Sequence, residues 1–342
     1  MAYIQINRAN YLHNLSFLSS KLGSVEKLMV VIKDNAYGHG LVQIAKLASE
    51  FGVKKAAVKN LFEANEVIEY FDEILVLADH PPKEKIDNKI SIAVHSFDKI
   101  KDFLPQTSIH LSLDTGMHRN GICEEDIKSA VQIIKANELN LKGVFTHFRS
   151  SDELSSSFFW QESNYKKMTD LLKQEILTCK LPMPQFHSCN SSAFLRKNTP
   201  LEDDYVRCGI ATYGYPSLDG TFGDFDLKPV MSLWAQKLSS RVLKEGQRIG
   251  YGGVYEAKCD EVIATYDIGY GDGFFRYDGL GDLKTAHGES IVGRLSMDSL
   301  FVKSDKEVVC LFEDATALAK HFNTITYEIT TKLSPFIQRV IV

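Results

Sequence analysis

An apolar, β-branched run, Val30-Val31-Ile32, ends in a single lysine, Lys33, and the glycine-rich turn Asp34-Asn35-Ala36-Tyr37-Gly38-His39-Gly40 follows at once. A lysine at the point where a strand leaves its sheet stands where α/β proteins display reactive side chains. Desolvation turns an amine there into a nucleophile and Schiff-base former. By residue type alone, Lys33 also reads as a side chain that snorkels out of a strand end. Four other positions invite chemistry. Arg119 follows the turn Asp114-Thr115-Gly116, and a guanidinium is a two-pronged donor that fits a carboxylate. His147 ends the run Gly143-Val144-Phe145-Thr146. Asn190-Ser191 opens a helical stretch, where a hydroxyl and helix-start amides suit a phosphate dianion or serve as an ordinary cap. Arg207 precedes Gly209-Ile210.

Positioning these groups requires strands whose ends converge. Residues 3–7 alternate as a short strand, and Tyr11 to Leu22 reads as a helix leading to the Lys33 strand. Lys55–Lys59, Glu73–Ala78, Ile90–His95, Ile109–Leu113, Leu141–Thr146, Gln185–Ser188 and Tyr205–Cys208 read as further strands. Helical stretches are read at 61–71, 97–104, 124–137 and 157–177. Eight strands alternating with helices predict a (β/α)8 TIM barrel, whose active site lies at the strand C-termini. Lys33, Asp114, His147, Asn190 and Arg207 all fall at such ends. After about Lys228 the rhythm changes: 230–243, 262–268 and 289–302 read as strands with glycine turns, and only 315–322 as a helix. The expected organisation is a barrel over residues 11–227, and a mostly β C-terminal domain formed by residues 1–10 and 228–342.

The bulk numbers fit a soluble globular protein, with 44% hydrophobic and 24% charged residues. A net charge of −5 offers no electrostatic footprint for nucleic acid. No apolar run is long enough to span a membrane. The N-terminus lacks a signal peptide's apolar core. Six cysteines without Cys-x-x-Cys pairing predict a reducing, cytoplasmic setting, and no metal ligands are assigned.

Lys33-Asp-Asn-Ala-Tyr37-Gly-His-Gly closely resembles the pyridoxal-phosphate attachment motif of alanine racemases, and the likeness runs along the chain in order. Asp114-Thr-Gly-Met-His-Arg119 resembles that family's Asp-Thr-Gly-Met-Gly-Arg, and Val206-Arg207-Cys-Gly209-Ile210 is a second strong match. Ile249-Gly-Tyr251-Gly, Ile268-Gly-Tyr270-Gly-Asp-Gly and Val292-Gly-Arg-Leu-Ser-Met297-Asp resemble segments of the family's β domain. The resemblance implies that Lys33 carries pyridoxal 5'-phosphate covalently. It further implies that Tyr37, Asn190, Ser191, Gly209 and Ile210 hold the cofactor with His147 and Arg207, the last facing the pyridine nitrogen. An arginine cannot accept the pyridinium proton, so the ring stays a weaker electron sink, which favours simple proton exchange.

By the same resemblance, Arg119 and Met297 contact the substrate carboxylate, Tyr270 lines the entrance, and Lys33 and Tyr251 are the two catalytic bases. A phenol is a poor base near neutrality, so its surroundings must assist, with His147 the expected neighbour. The implied activity interconverts L- and D-alanine and supplies D-alanine for peptidoglycan, in a homodimer with shared sites. The chain also departs from the family. Ser112 stands where many members have a carbamylated lysine beside the arginine, so a bound anion or a nearby acidic side chain is expected to offset Arg119. His118 replaces a glycine, Gly250 a serine, and Pro335 a tyrosine that touches phosphate. A broader amino-acid racemase, acting for example on serine, and a non-catalytic pyridoxal-phosphate-binding protein are the alternatives.

Overall fold

The computed structural model describes Met1 through Val342 and opens with strand β1 (Tyr3–Ile6). Eight parallel strands then form one sheet: β2 (Leu28–Val31), β3 (Lys55–Val58), β4 (Glu73–Val76), β5 (Ile90–Val94), β6 (Ser108–Ser112), β7 (Asn140–Phe145), β8 (Gln185–His187) and β9 (Val206–Cys208). They pair in the order β8-β7-β6-β5-β4-β3-β2-β9. Strand number falls by one at every step until β9, which lies beside β2, so the sheet curls into a nearly closed barrel. Two bonds bridge the remaining seam, from Asp204 N–H to Phe186 O and from Arg207 N–H to Cys189 O, both 2.9 Å. Strands buried on both faces read as continuous apolar runs, and Leu28–Val31 and Ile90–Val94 are buried throughout.

The helices are less regular than the alternation predicts. No helix joins β4 to β5, a connection that contains Pro81-Pro82, and only a 3-10 stretch, Phe97–Asp102, precedes β6. The helix expected over 61–71 ends at Glu66. Ser156–Cys179 is a full helix, capped by Ser155 and closed by Lys180 in the left-handed region.

By its internal contacts the chain forms two units, Leu12–Lys33 with Ile44–Lys228, and Met1–Tyr11 with Asp34–Gln43 and Pro229–Val342. In the second unit the long strand β10 (Met231–Leu243) pairs antiparallel with β1, and β1 pairs parallel with the last strand, Gln338–Ile341. Beyond β10 follow Glu261–Tyr266, Leu300–Val302, Ser290–Val292 and Leu283–Lys284, with Val308–Phe312 paired to β10. The stretch read as one strand over 289–302 is thus two, separated by a turn at Gly293. Thr316–His321 is the expected helix, and a second helix, Thr326–Thr331, follows it.

Candidate active site

Lys33 follows β2 after one residue, Ile32, whose N–H donates to Ala57 O at 2.9 Å. From Asp34 to Tyr37 the backbone makes a left-handed turn, with φ of 53°, 55°, 53° and 54°. L-residues lose roughly 1–2 kcal/mol each in this conformation, so the turn must be held from outside. The guanidinium of Arg339 donates from Nε and Nη2 to Gly38 O at 3.2 and 3.0 Å. Tyr37 packs its ring against Tyr327 at 5.6 Å. Gly38 has φ +85°, and a Cβ there would stand 2.0 Å from Thr330 O, so no other residue fits. Burial, with Tyr327 and Asp34 nearby, raises the Tyr37 pKa and keeps its hydroxyl protonated.

Within the barrel the structure brings together the ends of several strands. Arg207, on β9, is buried and makes four of its five possible donations: Nη1 to His187 Nδ1 (2.9 Å) and His187 O, and Nη2 to Thr146 O (2.7 Å) and Ser188 O (3.3 Å). The Nε–H is left over. Its guanidinium also lies over the Phe145 ring at 5.2 Å, and that ring stacks on His187. Ser191 Oγ accepts from Gly209 N–H (3.1 Å) and Ala211 N–H (3.3 Å), tying the helix Ser191–Arg196 to the turn Ile210–Tyr213. Asn190 caps that helix through Ala193 N–H at 2.9 Å, and its side chain also accepts from Ser151 Oγ.

His147 follows β7 with part of its surface open, yet protein surrounds it on most sides. Burial and then the charges of Arg207, Arg119 and Lys33 lower its pKa, so the imidazole is neutral. Arg119 is exposed, and no carboxylate comes within ion-pair distance of it. Asp114 is committed to its own loop, accepting from Gly116 N–H, His118 N–H and His118 Nδ1. An acidic partner for Arg119 is therefore not found. Its charge acts on His95 and His147, two neutral rings, and Ser112 is buried without carrying charge.

In the other unit, Tyr251 is 70% exposed, on a turn whose Gly250, Gly252 and Gly253 all have positive φ. Tyr270 and Met297 lie on abutting segments. Gly271 N–H donates to Met297 O at 2.8 Å, and a Cβ on Gly269 would stand 2.2 Å from the same oxygen. Sequence reasoning assigned no role to His187, His110, Glu73 or Lys55, which extend inward from Arg207. Lys55 and Glu73 open β3 and β4 and His187 ends β8, so only His110 stands out as a polar residue inside its strand.

The donor set fits pyridoxal phosphate. Arg207 retains one N–H, a donor suited to a ring nitrogen that keeps no proton. Ser191 with the first amides of two short helical turns offers neutral donors to a phosphate, and Lys33 would supply the amine. Fold and site together are those of a pyridoxal-phosphate enzyme of the barrel-plus-β-domain class.

The family models "Alanine racemase, N-terminal domain" and "Alanine racemase, C-terminal domain" match residues 6–217 and 230–341. The alanine racemase of Campylobacter concisus is 45% identical over 339 residues, 99% of each chain. The solved alanine racemase of Clostridium difficile superposes with a TM-score of 0.89 at 30% identity, covering 100% of this chain and 95% of that one. The solved histidine racemase of Leuconostoc mesenteroides gives 0.84 at 26% identity, covering 100% and 98%. The chain belongs to the alanine racemase family, whose enzymes are pyridoxal-phosphate-dependent racemases.

Proposed function

We propose that the protein exchanges the Cα proton of alanine between Lys33 on one face and Tyr251 on the other, interconverting the L and D forms and supplying D-alanine for peptidoglycan. Pyridoxal phosphate, when bound, supplies the electron withdrawal that acidifies that Cα–H. Ser191, Gly209, Ile210, Asn190 and Tyr37 hold its phosphate end, and Arg207 donates its free Nε–H to the ring nitrogen. His147, neutral and close to the charges of Arg207 and Lys33, assists Tyr251. Arg119 and the unused amide of Met297 take the substrate carboxylate, and Tyr270 lines the entrance. The barrel (residues 11–227) carries the cofactor, and residues 1–10 with 228–342 carry the second base. The enzyme is a cytoplasmic homodimer in which Tyr251 of each protomer completes the other's site, in keeping with the 70% exposure of that side chain.

The observation that carries this reading is Lys33 at the end of β2, followed by a turn held in an unfavourable conformation by residues far along the chain. A racemisation assay on alanine, serine and other amino acids, with and without added pyridoxal phosphate, tests it. Borohydride reduction followed by peptide mapping should place the pyridoxyl group on Lys33; a label on another lysine, or none, overturns the assignment. A second reading, a racemase of other amino acids, draws on the likeness to a histidine racemase, and the same assay separates the two.

A further inference from the structure

We propose that Glu73, acting through His110 and His187, is a positioning residue for Arg207. The proposal rests on the reading above that Arg207 faces the cofactor ring. A guanidinium only donates, so Nδ1 of His187, 2.9 Å from Arg207 Nη1, carries no proton. A neutral His187 then holds its one proton on Nε2, which lies 2.9 Å from His110 Nδ1. That atom must accept, and the proton of His110 is thereby on Nε2. His110 Nε2 faces Glu73 Oε1 at 3.6 Å, and neither atom has a hydrogen-bond partner although both are buried. Every link admits a single proton placement, set at one end by an obligate donor and at the other by a carboxylate.

The two rings are held neutral, chiefly by burial and then by the positive charges of Arg207 and Lys55, among others; the pKa of His110 falls to about 3. Glu73 is itself anchored. Lys55 pairs with it, reaches Gln185 Oε1 at 3.3 Å and lies over the Tyr205 ring, which stacks on His187 at 4.4 Å. The carboxylate polarises the two imidazoles toward itself and so enriches His187 Nδ1 as an acceptor. Arg207 is thereby fixed with Nε–H as its spare donor. No proton travels this path, because Arg207 cannot take one up.

The test combines histidine nitrogen NMR of the holoenzyme, assigned through single substitutions, with steady-state kinetics. His110 and His187 should both show the Nε2–H tautomer from about pH 6 to 9; a proton on Nδ1 of either ring overturns the proposal. Two double variants then separate acceptor from packing. Lys55→Met with Glu73→Gln keeps an acceptor for His110, and should keep the tautomer pattern with kcat down no more than about threefold. Lys55→Met with Glu73→Met removes the acceptor, and should shift the His187 signals and lower kcat about tenfold, with KM for alanine within about twofold. Equal spectra and equal kcat in the two doubles, or a shifted spectrum with unchanged kcat, refute the positioning role. If the second double does not fold, the tautomers of the unsubstituted enzyme still decide. Failure of the underlying functional reading would show separately, as absence of racemisation or of a pyridoxyl label on Lys33 in the unsubstituted protein.

Discussion

Arg207 Nη1 donates to His187 Nδ1 at 2.9 Å, so a buried cation and a buried imidazole share a bond whose direction cannot be reversed. Lysine at this position would carry charge but lacks the planar fork, and would leave Thr146 O and Ser188 O short of donors. Arg207→Lys should lower the stability of the protein by about 2–4 kcal/mol and racemisation by at least about a hundredfold. Denaturant unfolding and turnover measured on the same preparation check both numbers.

Acid should destabilise the fold through its buried histidines. His39, His110 and His187 are wholly buried, and burial first of all lowers each pKa, to about 3 for His39 and His110. A histidine with a depressed folded pKa binds its proton more readily when unfolded. Its stabilising contribution is therefore fully present above the unfolded value of 6.5 and is lost as pH falls from there toward the folded value. Each such group adds up to about 1.4 kcal/mol per pH unit to the slope. The denaturant midpoint should be flat from pH 8 to 7 and fall steeply between pH 6 and 5; an unchanged midpoint at pH 5 contradicts this.

If each protomer's Tyr251 completes the other's site, as proposed, inactive variants should complement each other. Lys33→Ala and Tyr251→Phe should each be nearly inactive, since each removes one of the two proposed bases. Mixed and reassembled, they should recover part of the activity, because a heterodimer holds one site with both residues intact. A mixture that stays inactive while heterodimers form rules out sharing.

With neutral Ser112 in place of a modifiable lysine and no carboxylate in reach, Arg119 should depend on a small anion from solution. Activity should be insensitive to bicarbonate and should rise with chloride at constant ionic strength. A bicarbonate requirement, or a modified lysine within hydrogen-bond distance of Arg119, would contradict the expectation.

The barrel strands were legible because buried parallel strands print apolar runs, and Lys33, His147 and Arg207 punctuate the ends of such runs. The missing helix between β4 and β5 departs from the predicted alternation, and 61–71 looks more helical in sequence than it is, since Glu and Ala favour a helix that in the fold ends at Glu66. The inner chain from His187 to Glu73 was not legible. Its members lie on three different strands, and only the closed sheet brings them within bonding distance. Nor could local preference foresee Asp34–Tyr37 in the left-handed region, because contacts that brace it come from Tyr327 and Arg339.

That last arrangement orders events in time. The turn behind Lys33 leaves the ribosome early, while Arg339, which fastens it, is added 301 residues after Gly38. At about 5–20 residues per second the interval is roughly a quarter of a minute to a minute. During it, Asp34 to Tyr37 have no reason to leave the right-handed region. A nascent chain thus holds the turn after Lys33 unfastened until the distal segment has been made and docked. The turn is fastened last, and a prematurely released fragment carries it unfastened.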